Sequence, residues 1–296
     1  MNFDNLNIFP ENRIKSLFGL EPTVLSEVAI RVLPVLSAER EHRLRNSPNR
    51  KRRFVVRDGR PAEVLPIHKL LMTLLYLRHN TSATLVGQLF SFSADAVENA
   101  LLEVLPVLRE LFPAARWDAV QRHRHGKWSP DEVETLIVDS FETPIKRPSN
   151  NERQKRLYSG KKKRHTLKTQ IITDEKGKIL DINSGCRGAK ADVKLWNETD
   201  LPEEFKDKRK LGDKAYIGAA VPVITPKKKP KGGELTDAEK AANKIISQER
   251  IYVEHSIRRV KSYRVMRDEY RLATGIFPMV AAAVVGLIQF ADLMNN

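Results

Sequence analysis

The chain has 296 residues and one cysteine, Cys186, and its 52 Lys and Arg against 37 Asp and Glu give a formal net charge of +15. That length is about two domains with a sizeable core, while a lone cysteine excludes an intramolecular disulfide framework and a cysteine-rich zinc module and fits a reducing compartment. With 30% charged and 41% hydrophobic residues the chain reads as soluble and globular, and its strong basicity points to a polyanionic partner, nucleic acid before an anionic membrane.

The first twenty residues contain acids and no continuous apolar segment, so no secretory signal is expected. Positive charge then concentrates between residues 40 and 60, in Arg40, Arg43, Arg45, Arg50, Lys51, Arg52, Arg53, Arg57 and Arg60, against Glu41 and Asp58. Pro61 to Leu77 predicts a helix, with Leu65, Leu70, Leu71, Leu74 and Leu77 near helical spacing. Asn80-Thr81-Ser82 supplies a turn and a cap, and a short segment follows from Leu85 to Phe92. Ser93 caps a third helix whose stripe is Val97, Leu101, Val104, Leu108 and Leu111. Short helices with a tight turn before the last make a helix-turn-helix, at about residues 61–111 of an all-α region 1–125. Pro113 to Pro130 is polar and basic and reads as a connection, with the linker proper set at 126–134.

From residue 135 the pattern changes to an α/β order. Thr135 to Val138 predicts a strand ending in Asp139, Arg164 to Thr173 a second, and Lys178 to Asn183 a third. A short helix is expected over Asp192 to Thr199, a fourth strand at Lys210 to Gly212 and a fifth at Val221 to Thr225. Thr236 and Glu239 form a capping-box pattern that opens one long helix reaching about Tyr263. The apolar run Ile276 to Ala291 is broken by Pro278 and Gln289 and falls short of the roughly 20 residues of a spanning helix, so it is read as a buried core helix and no membrane partner is expected. Residues 135–296 are therefore expected to form an α/β domain around a mixed sheet.

Three carboxylates in this region suit chemistry. Asp139 ends a buried strand, where an unpaired acid is costly. Asp213 follows another strand, and Glu254 lies on the long helix at the margin of its core face of Ile246, Val253, Ile257 and Val260, beside Arg250, Arg258 and Lys261. Converging acids repel one another unless divalent cations neutralise them, and hard oxygen ligands favour Mg²⁺ or Mn²⁺. Two ions about 3.5–4 Å apart clamp an in-line phosphoryl displacement. The plainer readings are a strand-end cap for Asp139, a turn residue for Asp213, and i,i+4 pairs with Arg250 and Arg258 for Glu254. Two further basic blocks, Lys146 to Lys168 with Lys161-Lys162-Lys163-Arg164 at its centre, and Lys227 to Lys231, suit phosphate contact.

These segments carry a resemblance. Val138-Asp139-Ser140-Phe141-Glu142-Thr143-Pro144-Ile145 resembles the first motif of the DDE superfamily endonucleases, the transposases of the Harbinger-like and insertion-sequence-five type. Tyr158 to Lys168 is similar to the segment that follows it, Leu211-Gly212-Asp213-Lys214-Ala215-Tyr216 to the second motif, and Asn243 with Arg250-Ile251-Tyr252-Val253-Glu254 and Lys261 to the third. The resemblance implies a ribonuclease-H-like fold, an acidic triad of Asp139, Asp213 and Glu254, and Mg²⁺ or Mn²⁺ as cofactor. It departs where the family often has His before an Asp: Ala191 precedes Asp192 here, which makes Asp192 the second choice for the middle carboxylate, against a helix N-cap role. The third helix of the N-terminal region carries Asp95, Glu98 and Glu103, acids that disfavour phosphate. Arg50, Lys51, Arg52 and Arg53 are then the better DNA-end contacts. Lys161, Lys162, Lys163, Arg164, His165, Arg250, Arg258 and Lys261 are the expected DNA contacts of the α/β domain, with His165 equally readable as a plain strand residue.

What the resemblance implies is a transposase that binds the terminal inverted repeats of its element, cleaves double-stranded DNA and joins ends to target DNA, as a homo-oligomer on DNA in the cytoplasm, at the nucleoid in a bacterium. The alternatives are a transposase-derived DNA-binding protein without catalysis, and a nuclease of the same fold that cuts without joining.

Overall fold

The computed structural model of the protein describes residues 11–46, 64–114 and 130–295. The expected contacts Arg50, Lys51, Arg52 and Arg53, and most of the predicted connection after Pro113, lie outside those residues. The chain divides into two compact units. One comprises Met1–Pro113, Tyr263–Val265 and Gly286–Asn296, the other Ala114–Ser262 and Met266–Val285.

The first unit is helical: α1 (Glu11–Phe18), α2 (Pro22–Arg45), α3 (Pro66–His79), α4 (Ala83–Phe90) and α5 (Ala94–Leu111). α3 begins at Pro66, later than its leucine spacing suggests. Proline suits the first helical position because its fixed φ is helical and its missing N–H has no partner there anyway. Leu65 stays outside and exposed, while Leu70, Leu71, Leu74 and Leu77 are buried. Asn80 ends the helix in the left-handed region, at φ 50°. The predicted segment before α5 is a helix in its own right, capped by Ser82, whose hydroxyl accepts from the Leu85 N–H at 3.2 Å. Between α4 and α5 the chain folds back so closely that a Cβ on Gly87 would lie 2.5 Å from the Phe92 carbonyl oxygen. Ser93 caps α5 through the Ala96 N–H, and Val97, Leu101, Val104 and Leu108 are buried as the stripe predicts; Leu111, at the end, is only half-buried.

Glu103 does not face outward as an obstacle to phosphate. Its two oxygens accept from Arg43 at 2.9 Å and Lys69 at 2.6 Å, which ties α2 and α3 to α5. Burial opposes ionisation of this carboxyl, but those two hydrogen bonds hold it below its ordinary range.

The second unit carries a five-stranded sheet: β1 (Thr135–Pro144), β2 (Tyr158–Ser159), β3 (Arg164–Thr173), β4 (Ile179–Arg187) and β5 (Arg209–Leu211). β3 is antiparallel to β1 and β4 and pairs briefly with β2, whereas β1 is parallel to β5, so the sheet is mixed. Its helices are α6 (Asn151–Leu157), α7 (Asp192–Asn197), α8 (Glu203–Lys206), α9 (Asp237–Glu249) and α10 (Ile251–Ser262), and the C-terminal α11 (Phe277–Asn295) belongs to it as far as Val285. This is the expected helical region followed by a ribonuclease-H-like α/β fold. Leu136, Val138, Ile172, Leu180, Trp196, Phe205 and Tyr216 form the core cluster on one sheet face. α11 is long and apolar enough to pass for a membrane span, yet 67% of that window is buried in the protein, as a core helix requires.

Three expected elements differ. Val221 to Thr225 is not a strand: a single bridge, Leu211 to Ile224, is all that forms, because Pro222 and Pro226 remove ladder donors from the segment. β1 runs past Asp139 to Pro144, so that acid sits within a strand. The long helix is two helices. α9 opens on the Thr236–Glu239 capping box but stops at Glu249, and Arg250, at ψ −11°, separates it from α10.

Candidate active site

In the parallel β1–β5 pair Ile137 stands opposite Leu211. Asp139 follows Ile137 by two residues within β1 and Asp213 follows Leu211 by two in the turn past β5, near enough for Asp213 to raise the Asp139 pKa. The turn after β5 is tight: Asp213 caps a short helical turn, Lys214–Tyr216, by accepting the Ala215 N–H at 2.8 Å. The third acid, Glu254, comes from the first turn of α10, which packs on β1 and β3. The i,i+4 pairs open to Glu254 are not made. Arg250 turns instead to Asp139, with Nη2 3.0 Å from Oδ2, and Arg258 has no acidic partner among the described residues.

Asp139 lies in a setting that resists its charge. Burial pushes its carboxyl up to about 6; Asp213 and Glu254 raise it further, while Arg250 and the Ser140 N–H, 2.7 Å from Oδ1, draw it down. The three acids expected from the sequence thus act on one another electrostatically. Among the described residues they are not gathered as a closed set of three metal ligands. The donor chemistry nevertheless fits a hard divalent cation: carboxylate oxygens on neighbouring elements, two of which raise the pKa of the largely buried third.

Asp192 occupies the other face of β1. Successive residues of a strand point to opposite faces, and Ser140, Lys168 and Gln170 share the face away from Asp139. The helix cap is Ala191, so Asp192 is the first residue of α7 and not its N-cap. Its Oδ1 accepts from Ser140 Oγ at 2.5 Å and from Lys168 Nζ at 2.9 Å, and the Lys168 ammonium also donates to the Lys190 carbonyl. Neither Ser140 nor Lys168 is a site residue in the sequence reading. Lys168 stands at the end of a basic block, which reads as surface, and only the tertiary structure buries it to 7% side-chain exposure. Tyr216 is the other unforeseen neighbour. Its hydroxyl is buried near Ser140 without a hydrogen bond of normal geometry. Burial, then Asp139, Asp192 and Asp213, raises its pKa, so it stays protonated beside the acids.

Among the expected cations, Lys261 sits over the Phe141 ring, 4.9 Å from its centroid. Burial and the nearby Lys162 lower its ammonium pKa, against the pull of Asp139. Lys161, Lys162 and Lys163 are exposed in the turn before β3, where Lys163 adopts φ 54°. Arg164 approaches Glu269 at 3.4 Å. His165 packs edge-on against Tyr158 at 5.6 Å between ring centroids. Arg250, 12% exposed in its side chain, is committed to Asp139. Cys186 hydrogen-bonds to Asn183 Oδ1, and burial raises its thiol pKa, which keeps it a neutral filler.

The family model for the DDE superfamily endonuclease matches residues 138–289, and one for the helix-turn-helix of DDE superfamily endonuclease matches residues 65–114. The chain is 27% identical over 239 residues to a protein of Microchaete diplosiphon named as a probable transposase for insertion sequence element IS702, covering 79% of this chain and 83% of that one. It is 25% identical over 215 residues to a candidate transposase for insertion sequence element IS112 of Streptomyces albus G, covering 72% and 75%. No solved structure matches the chain.

Proposed function

The chain belongs to the DDE superfamily endonucleases, and from that premise we propose that it is a transposase, which binds the ends of its element, cleaves DNA with a divalent cation and transfers the 3′ strand to a target. The observation that carries this reading is the electrostatic meeting of Asp139, Asp213 and Glu254, brought from the middle of β1, from the turn just past the end of β5 and from a helix. The naming of relatives as transposases supports it. We assign the cation as Mg²⁺, with Mn²⁺ also suited, bound as two ions, and the chain acts on DNA as a homo-oligomer.

Asp139, Asp213 and Glu254 would hold the metal, and a bound divalent cation supplies Lewis acidity toward the phosphodiester and its attacking oxygen. The chain's own residues supply the rest. Arg250 keeps Asp139 ionised by pairing with it. Lys261 and Lys162 set positive charge beside the acids, where a phosphate backbone must run. Tyr216 offers a protonated hydroxyl on the inner side.

The test is incubation of the protein with Mg²⁺ and a duplex carrying the inverted repeats that flank its gene. Nicking at the repeat ends and joining to a second duplex are expected. Asp139→Asn, Asp213→Asn and Glu254→Gln should each abolish cleavage by about a thousandfold or more while DNA binding persists. Repeat binding by the wild type with no cleavage in Mg²⁺ or Mn²⁺ would instead establish the catalytically silent alternative, and cleavage without joining the nuclease.

A further inference from the structure

The second unit holds a cleft of about 220 Å³ away from the acids, with Arg153, Arg156 and Arg187 on its rim, Leu157 and Leu167 on its floor, and Thr274 at one side. The three arginines come from different places. Arg153 and Arg156 project from α6 one turn apart, and Arg187 ends β4, where it stands opposite Leu167 of β3. All three are exposed. Arg153 donates from Nη2 to Thr274 Oγ1 at 3.1 Å. Among the described residues Arg156 and Arg187 have no acidic partner, although elsewhere in this chain exposed cations repeatedly find one, as Arg164 does in Glu269 and Arg209 in Glu249. Three converging guanidinium groups without a carboxylate repel one another unless an anion lies between them, and a planar fork of donors suits phosphate oxygens.

The strand register measures where this cleft lies. Asp139 stands opposite Ile171, and Thr143 opposite Leu167, on the same face of the sheet. Four residues of strand span roughly 14 Å, which is the rise of about four base pairs of duplex DNA.

We propose that the Arg153–Arg156–Arg187 cleft is a second phosphate site, which grips the backbone of the bound DNA within about four base pairs of the phosphodiester presented to Asp139. This rests on the transposase reading above and deepens it, since it states how the α/β unit holds a duplex in line with its acids without reading sequence. The floor itself, Leu157 and Leu167, is apolar and makes no hydrogen bond to a base, and the rim arginines offer their forks of donors to phosphate oxygens.

The experiment is a salt titration of affinity for a random-sequence 30-base-pair duplex, using the full chain with Arg156→Ala and Arg187→Ala combined, and the matching Arg156→Lys and Arg187→Lys variant. Both arginines are exposed, so the fold persists, and a circular dichroism melt checks it. Loss of two phosphate contacts should flatten the slope of log affinity against log salt by about 1.8 and weaken binding by more than about tenfold at 0.1 M salt. The lysine variant should keep most of the slope, because a point charge suffices for counterion release. Unchanged slope and affinity in the alanine variant, with a wild type that binds and cleaves, would overturn the cleft alone. Failure of the wild type to bind any duplex would overturn the transposase reading together with it.

Discussion

Arg250 Nη2 lies 3.0 Å from Asp139 Oδ2, at the point where α9 gives way to α10. A divalent cation held by Asp139 would share that acid with the guanidinium, so the two would compete for its charge. Arg250→Met should lower the melting temperature measured in EDTA, because it leaves Asp139 without its nearest positive charge. The same variant should show a larger rise in melting temperature on adding Mg²⁺ than the wild type does. An equal or smaller rise would mean that Arg250 and the metal do not share Asp139.

Asp192 and Lys168 form a buried pair on the opposite sheet face. Lys168→Met would leave the Asp192 carboxylate with Ser140 as its remaining donor, and should cost roughly 3–5 kcal/mol in urea unfolding. Asp192→Asn combined with Lys168→Met should cost much less than the two single changes added together. If Asp192→Asn folds normally and is as inactive as Asp139→Asn, while Asp213→Asn cleaves, then Asp192 is the middle carboxylate and Asp213 is not.

Glu103 ties three helices of the first unit through Arg43 and Lys69. Glu103→Gln should destabilise the protein by about 1 kcal/mol at pH 7, a modest figure because Arg43 is half exposed and solvent screens the pair. The carboxyl is held below its ordinary value of 4.5 in the folded state. Its stabilisation is therefore complete above the unfolded value and fades as pH falls through the folded one. Denaturation curves of wild type and variant should separate at pH 7 and draw together below about pH 4. A gap that widens with acid would reverse the assigned sign.

Lys161, Lys162 and Lys163 share one exposed turn before β3, and Lys162 acts electrostatically on Lys261, which in turn feels Asp139. Replacing all three with Ala should weaken binding of repeat and random duplexes alike, and flatten the salt slope by up to about 0.9 per lysine. Loss confined to the repeat duplex would mean base readout, and no change in slope would mean a turn that is merely solvated.

The sequence by itself settled what local rules govern. Helix caps at Ser82, Ser93 and Thr236 act within three residues, and the leucine stripe of α5 follows from helical spacing alone, so both were legible. Four of the five strands, β1, β3, β4 and β5, and the separate motifs around Asp139, Asp213 and Glu254, were legible for the same reason, whereas the two-residue β2 was not. Tertiary structure decided the rest, wherever an energy depends on what lies across the fold. Nothing local marks Arg250 as a helix break, since no Gly or Pro stands there; the break accompanies a side chain directed to an acid 111 residues away. Lys168 reads as one more surface cation until β1 and α7 enclose it and give it Asp192. The strand read at Val221 to Thr225 shrinks to one bridge because an apolar run states only that side chains prefer burial, while its prolines limit which backbone donors can meet a neighbour. Charge pairing over long sequence separations is decided by the packed chain, because the desolvation that makes a buried ion seek its partner exists only once the surrounding core has formed.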